Sequence, residues 1–284
     1  MPRARRSRRR HRLLKFLLLL LLCAAFLRWS NHSLEVERVS FSSSRLPAGF
    51  DGCVIVQLSD LHGALFGENN RDLLDRVRAE GPDYIFLTGD LLDQYRRTPQ
   101  SYAVDLGRAL AEIAPTYFVT GNHEWALRDV GELKDRLEEA GVAVLSNEYT
   151  VLERGGDAIV LAGIDDPNGY ADQKTPEELA SEVREAFGDP FWLLLAHRNN
   201  YFAPQYSLLG ADLVISGHGH GGLIRLPFTD GLISVERTLL PSYTAGFYEE
   251  NGARLFVSRG LGNSGRTFRL FNRPEVAVLT LERG

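Results

Sequence analysis

The chain has 284 residues, 44% of them hydrophobic and 24% charged, an ordinary globular composition that excludes a disordered or fibrous protein. Charge is unevenly placed: residues 1–28 hold nine of the 32 Lys+Arg and no acidic residue, so the remainder carries 23 basic against 37 acidic side chains. An acidic body excludes general nucleic-acid binding through a basic face.

In chain order, a tail with eight basic residues precedes an apolar run from Phe16 to Leu27. With Leu13 and Leu14 the run reaches about 15 residues, short of the ~20 of a comfortable membrane span. It fits the apolar region of a signal peptide or a short signal anchor. This position gives the tail a membrane role rather than a nucleic-acid one. The positive-inside rule keeps the tail in the cytoplasm and exports the body. Cys23-Ala24-Ala25 is a weak cleavage site after the bulky Leu22. Residues 1–30 are therefore expected to tether residues 31–284 to the outer face of the cell membrane, the domain being secreted if the leader is cleaved. Cys23 and Cys53, one in the apolar run and one in the body, do not pair.

Residues 34–41 alternate apolar and polar, the period of a half-buried strand. Cys53–Leu58 reads as a buried strand, Asn69–Glu80 as a helix ended by Gly81-Pro82, and Tyr84–Leu87 as a strand. Tyr102–Ile113 reads as a helix, Tyr117–Val119 as a strand, and Asp129–Ala140 as an amphipathic helix stopped by Gly141. Val142–Leu145, Thr150–Leu152 and Ala158–Ile164 follow as strands. Thr175-Pro176-Glu177-Glu178 is a capping box opening a helix to Phe187. Phe191–Ala196 and Leu213–Ser216 are buried strands, and residues 231–282 read as mostly β, with turns at Asn251-Gly252 and Asn263–Gly265.

Five motifs end apolar runs: Asp60-Leu61-His62, Gly89-Asp90-Leu91-Leu92-Asp93, Gly121-Asn122-His123-Glu124, His197, and Gly217-His218-Gly219-His220. Five of the seven histidines sit in them. Asp60, Asp90, Asn122, His197 and His218 each fall just past a predicted strand, the edge where open α/β sheets bind ligands. Asp-x-His and His-x-His each offer two ligands that point the same way on an extended chain, and Gly219 permits an unusual turn. Asn122 offers a neutral oxygen, His197 an imidazole, and Asp90 a bridging carboxylate. That donor set suits a pair of metal ions clamping a phosphoryl group. Asp165-Asp166 reads as an N-cap or a turn, Arg225 as either a phosphate contact or a structural residue, and Tyr201-Phe202 with the tryptophans as core or rim.

The ordered motifs resemble the calcineurin-like metallophosphoesterase superfamily. The resemblance implies a four-layer α/β sandwich, two mixed sheets flanked by helices. It implies that Asp60, His62, Asp90 and His220 hold one metal and Asp90, Asn122, His197 and His218 the other. His123 would protonate the leaving oxygen, and Asp93 and Glu124 would orient ligands. Gly221–Pro227, Ser258–Gly262 and Asn272–Glu275 look like the membrane-associated bacterial phosphodiesterase branch of the YkuE and YaeI type. That branch usually has Thr at 219, Gln at 223 and a Pro-containing step after the lone histidine; here stand Gly219, Leu223 and Arg198-Asn199-Asn200. The implied function is metal-dependent hydrolysis of a phosphate ester, a diester first, with Mn, Fe or Zn suiting the mixed N/O shell. The alternatives are a pyrophosphohydrolase of a nucleotide-linked lipid precursor (UDP-diacylglucosamine type) and, from another class, a non-catalytic scaffold. The implied partners are a phosphoester substrate, lipid-linked in the second reading, and a membrane through the N-terminal segment.

Overall fold

The computed structural model describes residues 2–127, 129–169, 173–226 and 229–284, with side chains from residue 10 onward in those ranges. Pro227, the end of one family-like motif, lies outside the described residues. Two six-stranded mixed sheets pack face to face. The first runs β1 (Glu35–Ser43), β12 (Glu275–Arg283), β2 (Cys53–Leu58), β3 (Tyr84–Thr88), β4 (Thr116–Val119), β5 (Val142–Val144). The second runs β10 (Gly246–Glu250), β11 (Ala253–Val257), β9 (Leu213–Gly217), β8 (Trp192–Arg198), β7 (Asp157–Ile164), β6 (Glu148–Arg154).

Strands β2 to β5 are parallel, as are β7, β8, β9 and β11. A parallel strand covered on both faces must be apolar throughout, which is why β3 and β9 are buried along their whole length. Between the sheets, Phe41, Ile55, Phe86, Leu161, Leu193 and Ile215 form one apolar layer. Helices α2 (Arg71–Glu80), α3 (Gln100–Ala111) and α5 (Val130–Glu139) cover the outer face of the first sheet with Leu73, Leu106 and Leu133. Helix α6 (Pro176–Phe187) covers the second with Leu179 and Val183. This is the expected four-layer sandwich. The capping box at Thr175 also forms: its hydroxyl accepts the Glu178 N–H, and the Glu178 carboxylate accepts the Thr175 N–H.

Three expectations need correction. The N-terminal helix α1 spans Pro2–His32, and its stretch Arg10–His32 is 23 residues, long and apolar enough to cross a membrane. Helical geometry continues past the apolar run through Arg28, Trp29 and Ser30, so the helix is longer than the run alone. Residues 231–282 are less β than their composition suggests. Only β10, β11 and β12 form there, and Arg237, Leu240 and Tyr243 adopt left-handed backbone that interrupts pairing. His197 lies within β8 rather than beyond it.

Candidate metal centre

Strand pairing stops at the ends of β2 and β3, and the loops beyond them continue to bond each other. The Asp60 N–H donates to the Gly89 carbonyl (3.0 Å) and the His62 N–H to the Asp90 carbonyl (2.9 Å). This zipper places Asp60, His62 and Asp90 over one sheet edge. Their backbone is not extended: φ is +53° at Asp60, +49° at His62 and +53° at Asp90. His218 and His220 are likewise left-handed, at +65° and +47°. Such conformations are costly for residues with a Cβ, and they concentrate at functional sites. Gly219 itself is ordinary right-handed backbone. Its value is space, since a Cβ there would stand 2.6 Å from Asn199 Nδ2. Asn199 Nδ2 donates to the Tyr243 carbonyl (2.7 Å) and so occupies the room a threonine at 219 would need.

The expected ligands converge into two buried groups, Asp60/His62/His220 and Asp90/His197/His218. His62 Nε2 is 3.0 Å from His220 Nε2, which is 3.4 Å from Asp60 Oδ1. His218 Nδ1 is 3.2 Å from His197 Nε2. Asp90 Oδ2 lies between the groups, 3.3 Å from His197 Nε2 and 3.6 Å from His62 Nε2. Donor atoms bound ~2.0–2.2 Å from one ion stand about 3–3.5 Å from one another, which is the spacing here. Asn122 heads α4 (Asn122–Ala126), and its Oδ1 is buried with no hydrogen-bond partner. An orphaned acceptor at such a site fits a cation.

The remaining ring atoms set tautomers. His197 Nδ1–H donates to the Thr88 carbonyl (2.7 Å), leaving Nε2 free to ligate. Burial pushes His62 down to about 3, with His220 and His123 adding to the effect against the pull of Asp90. His220 is also held well below the usual range, by burial and then by Arg269. Both are therefore neutral, as metal ligands must be. At His197 burial opposes charge, but the Asp90 carboxylate prevails and raises it to about 10.

Glu124 orients two loops at once. Its carboxylate accepts the N–H of Gly121 (2.7 Å), Asp90 (2.8 Å) and Leu92 (3.0 Å). Burial, with Asp90 nearby, raises it to about 7. Asp93 accepts the N–H of Tyr95 and of Gly265, both at 2.7 Å. His123 is buried beside His62, ring centroids 4.4 Å apart. Its Nδ1 accepts the Gln94 N–H (3.1 Å), which leaves a neutral ring its proton on Nε2. Nε2 lies 3.2 Å from Ser264 Oγ and 3.9 Å from Asp90 Oδ2. Asp93 Oδ1, 3.8 Å from Nδ1, is the acceptor available to a protonated ring.

Arg225 donates to the Gly221 carbonyl and the Thr244 hydroxyl, bracing the loop it belongs to. Asp165 binds Lys134, and Asp166 binds Arg198 while accepting the Asn168 N–H in a turn. Phe202 and Trp192 are core. Three partners had no local signal in the sequence. Glu236 Oε1 lies 3.5 Å from His218 Nε2, the ring nitrogen turned away from the cluster. Ser264 faces His123. Arg269 is fully buried, with one amino group 3.3 Å from His220 Nδ1 and its other donors on the Gly262 and Arg259 carbonyls. Their ranges read as turn-rich strand, and only the return of residues 231–274 over the sheet edge brings them close.

Residues 53–222 match the family model described as calcineurin-like phosphoesterase, and the chain belongs to that family. It is 30% identical over 265 residues to YkuE of Bacillus subtilis (strain 168), named an uncharacterized metallophosphoesterase, covering 88% of this chain and 86% of that one. It is 31% identical over 261 residues to a Bos taurus protein named a transmembrane protein with metallophosphoesterase domain, covering 87% of this chain and 57% of that one. Among solved structures, Haemophilus influenzae NAD nucleotidase (NadN) shares the fold, with TM-score 0.51 and 17% identity over 72% of this chain. The chain spans 44% of that protein's length.

Proposed function

We propose that the protein is a two-metal phosphoesterase acting on phosphodiesters at a membrane surface. The observation that carries the reading is Asp90 Oδ2, placed between two buried ligand groups at ligand-to-ligand spacing. Asp60, His62, Asp90 and His220 would hold one ion, and Asp90, Asn122, His197 and His218 the other. Two ions there supply Lewis acidity and offset the charge on the phosphoryl oxygens. The chain's own residues do the rest. Thr88 and Glu236 hold the rings of His197 and His218 in ligating orientation. Glu124 fixes the loops carrying Asp90 and Asn122. His123 presents Nε2–H to the leaving oxygen. A cavity of about 290 Å³ opens beside His218 between Asn200, Glu236 and Tyr243, with room for one side of the ester.

Metal-loaded full-length protein should hydrolyse bis(p-nitrophenyl) phosphate and lose that activity on chelation, regaining it with Mn or Zn. A metal-replete protein inactive on diesters and monoesters would leave the scaffold reading in its place. Residues 31–284 would form the catalytic domain and α1 the tether. The basic tail supports a domain outside the cytoplasm, in which case protease added to intact spheroplasts should digest it. Digestion only after lysis would put the site on the inner face.

A further inference from the structure

We propose that the loops around the end of α1 form a lipid-contacting rim, and that the metal centre takes its phosphoester from the bilayer that α1 enters. The substrate is then a phosphate ester carried on a membrane-embedded lipid. This rests on the phosphoesterase reading above.

Helix α1 is locked to the body. Phe26 packs on Phe271 with ring centroids 4.9 Å apart, and the Arg273 guanidinium sits 5.0 Å over the Trp29 ring. Asn31 accepts the Arg269 N–H (2.7 Å) and donates to the Arg269 carbonyl (2.9 Å). The segment it grips also touches the candidate metal centre: Ser264 faces His123, Gly265 donates to Asp93, and Arg269 reaches His220. One short stretch of chain therefore joins the helix end to the site. A helix docked this way fixes the site's height above the membrane.

The surface around that joint is apolar where water would otherwise cover it. Phe268 is 53% exposed, Phe271 48%, Leu65 61% and Tyr95 71%. Tyr95 lies edge-on to His123 at 5.6 Å, so the patch runs from the helix to the candidate acid. Exposed apolar side chains gathered in one patch mark an interaction surface. Continuity with α1 identifies its occupant, because the Phe26–Phe271 contact extends the helix's own apolar surface. Charge agrees. Residues 251–274 contain five arginines and no acidic residue, of which Arg269 is buried and Arg254, Arg259 and Arg273 pair with glutamates outside that range. Arg266 is exposed among them, and Arg96 and Arg97 are exposed beside Tyr95. Basic side chains at this level attract anionic headgroups. A cavity of about 600 Å³ opens between α1 and these loops, lined by Leu27, Arg28, Leu65, Arg96 and Leu261. Its wall mixes Leu27, Leu65 and Leu261 with Arg28, Asn31, Arg96 and Asn263, a lining that suits an amphiphile.

The test uses the full chain in phosphatidylcholine/phosphatidylglycerol vesicles. A nitroxide on Phe268→Cys, in a Cys23→Ala background, should collide with oxygen as a bilayer site does and be shielded from a water-soluble relaxant. Leu65→Ser with Phe268→Ser touches no proposed ligand or acid. It should leave turnover of a soluble nitrophenyl phosphodiester within about twofold, yet lower turnover of a diacyl-anchored nitrophenyl phosphodiester at least about tenfold. A nitroxide open to the aqueous relaxant overturns the rim. Equal effects on the two esters overturn delivery from the bilayer. Should the metal-loaded wild type hydrolyse neither ester, the phosphoesterase reading fails together with the substrate, and nitroxide depth still decides the rim.

Discussion

Asp90→Asn should strip the protein of bound metal and lower diester turnover on the order of 10³-fold or more, beyond what loss of one stabilising donor costs. The reason is electrostatic. Asp90 Oδ2 faces His197 and His62 from between the two groups, and its charge is what would let two cations sit close. The amide replaces that oxygen with either a neutral carbonyl or a donor that opposes the imidazoles. The fold should survive. Oδ1 also accepts the His123 N–H (2.8 Å), which an asparagine oxygen can still do, and the Glu124 clamp on the Asp90 N–H is backbone. Circular dichroism and elemental analysis read the two halves of this prediction. A variant with two ions per chain and normal turnover would refute the bridge.

His123→Asn should do something different. Both ions should stay bound, because the seven proposed ligands are untouched. Turnover of an alkyl diester should fall on the order of 10²–10⁴-fold, the usual contribution of a positioned acid. With a nitrophenyl leaving group, which departs without a proton, the loss should shrink to about tenfold or less. The contrast between substrates is the diagnostic. Ser264 and Asp90 already face Nε2, and as an acid the ring would carry a second proton on Nδ1, giving up the Gln94 N–H for the Asp93 carboxylate 3.8 Å away. Equal losses on both leaving groups, or loss of metal, would assign His123 another job.

Much of this was readable from residue order. Strands β2, β3, β8 and β9 are runs of apolar residues because helices or a second sheet cover both faces, and that burial is written directly into composition. Polar residues that end such runs must lie at a sheet edge, so the convergence of these candidate side chains was visible as well. Its backbone was not. Spacing alone made Asp60 and His62 look like neighbours on an extended strand, whereas positive φ at both turns each side chain by local strain that no pattern encodes. Residues 223–226 and 229–244 hid more. Their β-like composition is spent on isolated bridges such as Leu223–Ile233 and Ile224–Leu270 while the chain wraps the site. Glu236 and Arg269 gain their meaning only from that wrapping, since their partners lie 18 and 49 residues away.

The central claim is that these side chains hold two metal ions bridged by Asp90. Anomalous diffraction from crystals of Mn- or Zn-loaded protein tests it most directly. The account predicts two peaks roughly 3.5–4 Å apart, with the Asp90 carboxylate between them. One peak should contact Asp60, His62 and His220, and the other Asn122, His197 and His218. A single peak, or two peaks with Asp90 touching neither, would contradict it.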